Sequence, residues 1–82
     1  MTVRLAEDGS IRLERACPAE DAATLHQLLL RHPEAPVDWR ACAAAHTAIV
    51  QLLLAADPPT SGPPGEVFLA NWIQPLLRAP VA

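Results

Sequence analysis

His46 and Thr47 are the residues of this chain best suited to regulatory chemistry. They stand between the small-residue stretch Ala41 to Ala45 and the apolar run Ala48-Ile-Val-Gln-Leu-Leu-Leu-Ala-Ala56. A hydroxyl at the start of a helix is a good phosphate acceptor, because the added charge meets free backbone N–H groups and the positive end of the helix dipole. The same hydroxyl can instead cap the helix by accepting one of those N–H bonds, worth about 1 kcal/mol. Beside it, His46 can pair with a carboxylate on a partner, or serve as a plain polar turn residue. Cys42 and His46 have a spacing that brings two metal ligands together, with His26 or His32 as further donors. Zinc sites use three or four ligands, however, and the chain has only two cysteines, Cys17 and Cys42. No metal or other cofactor is expected. There is no Gly-rich phosphate loop and no acid in an orienting position for a Cys–His pair, so the chain reads as a non-enzyme.

The elements that must position His46 and Thr47 follow from the flanking pattern. Val37 and Trp39 alternate with Asp38, which predicts a strand over 35–39. Ala41 to Ala45 reads as a tight turn, and Ile49, Leu52, Leu53 and Ala56 recur at helical spacing, with Val50 and Leu54 widening the apolar surface. A strand entering a helix through a short turn puts the turn at the carboxyl end of the strand, where open α/β sheets hold their ligands.

Upstream, Thr2–Leu5 and Ile11–Arg15 alternate around an Asp8-Gly9 turn and predict a β-hairpin whose core residues are Leu5, Ile11 and Leu13. Pro18 fits a first helical position, and Glu20 and Asp21 then favour the dipole. A helix is expected from Pro18 to just before Pro33, with Ala22, Leu25, Leu28 and Leu29 inward. The strands on either side of it are expected to be parallel, with a right-handed connection. Asp57-Pro58-Pro59 stops the second helix, and 57–65 reads as a loosely ordered Pro-rich loop. Over 66–78, Phe68, Leu69, Trp72, Ile73, Leu76 and Leu77 describe an amphipathic helix kinked near Asn71–Gln74 by Pro75. Ala79–Ala82 is expected to fray.

The chain is thus read as one α/β domain over 1–82: a small mixed β-sheet of about three strands, a hairpin then β-α-β, with helices packed on it. It has 82 residues, 51% apolar and 18% charged, enough for one small core and too apolar for disorder. The net charge of −3 and the absence of a basic cluster argue against nucleic acid. No run reaches the roughly 18 apolar residues of a membrane span, and Met1–Arg15 does not read as a signal peptide, so a cytoplasmic protein with reduced thiols is expected.

The stretch VDWRACAAAHTAIVQLLLAA, Val37 to Ala56, resembles the core of a STAS domain, the module of anti-sigma factor antagonists and sulfate-transporter tails. In that family a strand with Val-Asp-Leu leads through a short turn to Asp-Ser-x-Gly and a Leu-rich helix. Val37-Asp38 matches the strand, Thr47 falls on the phosphorylatable Ser or Thr, and Leu52-Leu53-Leu54-Ala55 matches the helix. The order strand, strand, helix, strand, helix over 1–56 matches the first two thirds of such a domain. His46 stands where the family has an acid and Ile49 where it has glycine. A proline loop and one helix follow where the family adds a strand, a helix and more. The resemblance implies a non-enzymatic protein-interaction module of bacterial signalling, switched by phosphorylation at Thr47. Its partner would be a kinase, receptor or anti-sigma-type regulator, and the contact candidates are Arg40, His46, Thr47, Val50 and Trp72. The alternative is a self-associating structural module in which the C-terminal helix and a sheet edge form a homodimer.

Overall fold

The computed structural model describes residues 1–77; Arg78, the expected end of the last helix, and Ala79–Ala82 lie outside the described residues. The hairpin forms as the alternation predicts. Strand β1 (Val3–Leu5) pairs antiparallel with β2 (Ile11–Cys17), Val3 opposite Leu13 and Leu5 opposite Ile11. Its turn is held locally: the Asp8 carboxylate accepts from the Ser10 amide and hydroxyl at 2.9 and 2.6 Å, and Gly9 takes φ +89°, which glycine adopts without a Cβ clash. The inward residue of β1 is Val3, fully buried. Leu5, expected in the core, is 41% exposed at the turn end of this three-residue edge strand.

A 3-10 turn, Ala19–Asp21, and helix α1 (Ala22–Arg31) follow. The α-helix therefore begins four residues after Pro18, because the chain first tightens through the 3-10 turn. Thr2 ties this entry down: its amide and hydroxyl both donate to Asp21 Oδ2, at 3.1 and 2.7 Å. Those two bonds hold the Asp21 carboxyl below its usual range. The α1 end comes at His32, whose N–H donates to the Leu28 carbonyl just before Pro33. Leu25 is the fully buried residue of its inward stripe.

Strand β3 (Val37–Ala45) lies parallel to β2, as expected, but it is nearly twice as long as the expected 35–39. Residues 41–45 form no turn. The reason is β2, which runs on to Cys17 and offers Ala41, Cys42, Ala44 and Ala45 hydrogen-bonding partners. The two strands accommodate each other through register shifts near Arg12/Glu14 and Arg15/Ala16, with Arg15 at φ 61°. Helix α2 (Thr47–Ala56) ends at Asp57, which adopts the left-handed conformation and donates its N–H to the Leu53 carbonyl. Such C-terminal caps release the chain from the helix, and Pro58-Pro59 prevent its return.

The Pro-rich loop contains a fourth strand, β4 (Thr60–Ser61), which pairs parallel with Val37 and Asp38. The sheet order is β1-β2-β3-β4, so the architecture is α/β with four strands and not three. Both crossovers step the same way across the sheet. Right-handed connections then put α1 and α2 on one face, where Ala22 and His26 share a groove with Ala48, Leu52 and Ala55. That face holds the core: Ile11, Leu13, Leu25, Val37, Trp39, Ile49 and Leu53 are all fully buried, each aliphatic side chain contributing about 1.5–3 kcal/mol. The other face of β1 to β3 carries charges in pairs, Arg4 with Glu14 at 2.9 Å and Arg40 with Asp38 at 2.8 Å.

Beyond β4 the chain passes Gly62 and Gly65, two positions set by close approach. A Cβ at Gly62 would stand 2.6 Å from Trp39 Nε1, and one at Gly65 3.2 Å from the Arg40 and Cys42 carbonyls. The C-terminal arm then opens with Glu66, whose carboxylate accepts from the Phe68 and Leu69 amides at 2.9 and 3.0 Å. It continues as a π-helical turn, Leu69–Ile73, and a 3-10 turn, Gln74–Leu76. The expected kink is thus a change of helix type. Pro75 has no N–H to donate, and the preceding Gln74 N–H reaches back five residues to Leu69. Of the six apolar residues expected on one broad face, Leu69, Ile73 and Leu77 are buried, whereas Phe68, Trp72 and Leu76 are exposed.

Candidate functional site

Because β3 runs to Ala45, a single residue, His46, connects it to α2. The His46 amide donates to the Cys17 carbonyl at the end of β2, 2.9 Å away, which ties the connection to the carboxyl edge of the sheet. With φ −61° and ψ 152°, His46 is the N-cap of α2. Its Nδ1 accepts from the Ala48 amide at 3.0 Å, and its carbonyl accepts from Ile49 and Val50 at 2.9 and 3.2 Å. The cap requires a free lone pair on Nδ1, so the ring proton of the capping form sits on Nε2.

With the imidazole as cap, the Thr47 hydroxyl is not needed for that task. Thr47 occupies the first helical position, is exposed, and makes no side-chain hydrogen bond among the described residues. The 3-10 turn that carries Glu20 and Asp21 packs beside α2, so this rim is acidic. Immediately after Thr47 begins the α1–α2 groove, an open cleft of about 460 Å³ lined mainly by alanine and Leu52, with His26 and Gln51 as its polar members. Gln51 lies one helical turn beyond Thr47, on the same side of α2.

The other contact candidates lie elsewhere. Arg40 is five residues before the end of β3, roughly 16 Å away along a strand rising about 3.3 Å per residue. Its guanidinium is engaged: Nε and Nη2 donate to the two Asp38 oxygens at 3.0 and 2.8 Å, and its amide donates to Asp38 Oδ1. The Asp38 carboxyl is held below its usual range by those side-chain bonds. Val50 points into the core and is 9% exposed, so it supports α2 and offers no contact surface. Trp72 is well exposed, but on the C-terminal arm. Of the five candidates, only His46 and Thr47 stand together.

Cys17 and Cys42 meet in the core, with Sγ atoms 4.0 Å apart and both thiols free. Their mutual hydrogen bond and burial push the Cys42 thiol up, away from a reactive thiolate. Cys42 and His46 are committed to different tasks, one in the core and the other capping α2.

Two caps escaped the sequence reading. Histidine is not among the usual capping side chains, so His46 gave no signal. Glu66 stands two and three residues ahead of the amides it caps, with no apolar pattern before it to mark a helix start. Comparison of the chain with known protein families, curated proteins and solved structures finds no match. Among the described residues, no helix is long and apolar enough to cross a membrane.

Proposed function

We propose that this chain is a STAS-like, non-enzymatic interaction module of cytoplasmic bacterial signalling. It docks a kinase, receptor or anti-sigma-type regulator at the carboxyl end of β3, the start of α2 and the adjoining α1–α2 groove, and Thr47 is its phosphoacceptor. The observation that carries this reading is the division of labour between neighbours: His46 caps α2, and the exposed Thr47 hydroxyl is left over at the first helical position. The STAS-like spacing of Val37 to Ala56 supports it. So does the short strand β4, since a strand follows α2 here as it does in that family.

Phosphorylation would add about −1.5 to −2 charges at neutral pH, placed where the first-turn amides of α2 favour them. Glu20 and Asp21 are nearby acids, so the rim would pass from mildly to strongly negative. An acidic partner surface would then be repelled, and an Arg-rich one attracted. The same proposal leaves Arg40 outside the site, as a structural partner of Asp38.

The test compares Thr47→Glu and Thr47→Ala with wild type in quantitative co-purification from the native cells. Thr47→Glu should change capture of the partner by about tenfold or more, whereas Thr47→Ala should bind like the unmodified protein. The proposal fails if both variants capture the same partner as well as wild type does.

A further inference from the structure

Along the C-terminal arm, two sets of apolar residues each recur every four residues, offset from one another by one. Leu69, Ile73 and Leu77 point inward and are at most 8% exposed. Phe68, Trp72 and Leu76 point outward and are 54%, 68% and 66% exposed, with Val67 beside them at 70%. Elsewhere in the described chain, exposed large apolar residues such as Met1, Leu5 and Leu30 are scattered along the sequence. Here four of them fall within ten residues of the C-terminal arm.

We propose that this outward stripe is a self-association surface, and that its occupant is the same stripe of a second copy of the chain, related by a two-fold axis passing near Trp72. Three observations favour that occupant. In sequence, Trp72, the largest residue, lies four residues from both Phe68 and Leu76, the first across the π-helical turn and the second across the 3-10 turn. Antiparallel pairing therefore sets Trp72 against its own copy and each Phe68 against Leu76 of the other chain, as an isologous contact requires. The area suits a weak dimer. The four residues expose roughly 500 Å² per copy, so even complete pairing removes at most on the order of 1,000 Å² in total, the lower limit for a specific interface. Finally, no charged residue occurs from Val67 to Leu77, so no like-charge repulsion opposes pairing, and the stripe has no handle for steering a charged partner.

On the β3 side the sheet is covered by β4, and Gly65 lies close to the Arg40 and Cys42 carbonyls. The dimer is made by the arm alone, and it does not depend on the reading of Thr47.

Sedimentation velocity of the full chain over about 1–200 µM tests the proposal, since a contact this small should dissociate on the order of micromolar. Wild type should pass from monomer to dimer in that range, and the emission of Trp72 should shift to the blue as it does. Trp72→Ala should weaken the dimer about 30-fold or more. Its far-UV circular dichroism and urea midpoint at low concentration should stay at the wild-type values, because Trp72 is exposed in the single chain. A wild type that stays monomeric at 200 µM would overturn the proposal. So would a dimer indifferent to Trp72→Ala, or an arm whose amides gain exchange protection only on adding lipid vesicles or a different protein.

Discussion

The two ends of β3 carry polar groups of similar kind and treat them in opposite ways. At the amino end, Asp38 and Arg40 satisfy each other: one carboxylate accepts three N–H bonds from a single neighbour two positions along the strand. At the carboxyl end, His46 is used once, as a cap, and Thr47 is left with an exposed hydroxyl at the start of a ten-residue helix. A closed pair stabilises the fold locally and has little left to offer a partner. An open hydroxyl at a helix start contributes little to the fold and is available for modification. The polar residues of Val37 to Ala56 thus divide into structural and available ones. Proximity in sequence alone does not make that division.

The severest way to break the contrast is to remove what holds β3 itself. Trp39 is fully buried, so Trp39→Ala should cost about 3–5 kcal/mol, enough to unfold much of so small a domain, with both ends lost together in urea denaturation. Gly62→Ala attacks the same contact from the other side. Its Cβ would meet the Trp39 ring at 2.6 Å, and a loss of about 1–3 kcal/mol is expected by the same measurement.

The carboxyl end is sharpened by its two neighbours. His46→Ala should cost about 1 kcal/mol, the value of a lost cap, while Thr47→Ala should stay within about 0.5 kcal/mol of wild type. Equal losses at the two positions would mean that Thr47 shares the capping. At the amino end the effect is smaller. Arg40 is largely exposed, so Arg40→Ala should cost less than about 1 kcal/mol.

The smallest effect is read in pH. The Asp38 carboxyl is held below its unfolded value by the Arg40 bonds. Its contribution is therefore fully present above an unfolded pKa of about 3.9, and is lost as pH falls from there through the lower folded value. Asp38→Asn should flatten part of the decline in urea stability below about pH 4, whereas Thr47→Ala should leave that decline unchanged.

Much of this organisation was legible in the sequence, where local physics speaks. Asp8-Gly9 announced the hairpin, and the alternation through Ile11 and Leu13 gave the face of β2. Asp57-Pro58-Pro59 marked the end of α2, and the parallel β2–β3 pair followed from the helix between them. The extension of β3 was not legible. Alanine favours strands too weakly to signal one, and only the length of β2 turns Ala41–Ala45 into a ladder. Nor was β4, because two residues in a proline loop have no periodicity to detect.

The arm shows the same limit. Its apolar pattern was plain, but two stripes at the same spacing cannot be ranked as inner or outer without knowing which one meets the core. At the candidate site, Thr47 and its position at the helix start could be read directly. The release of its hydroxyl depended on His46 acting as the cap, which no propensity indicates.

The most direct test of Thr47 as a phosphoacceptor is the intact mass of the protein purified gently from its native cells with phosphatases inhibited, followed by fragmentation to locate any added group. The expected result is a fraction of chains bearing one phosphoryl group, localised to Thr47, with a signalling partner recovered in stoichiometric amount and dependent on that modification. A chain that is unmodified at Thr47 under every growth condition, or one whose phosphate lies elsewhere while the partner binds regardless, would contradict it.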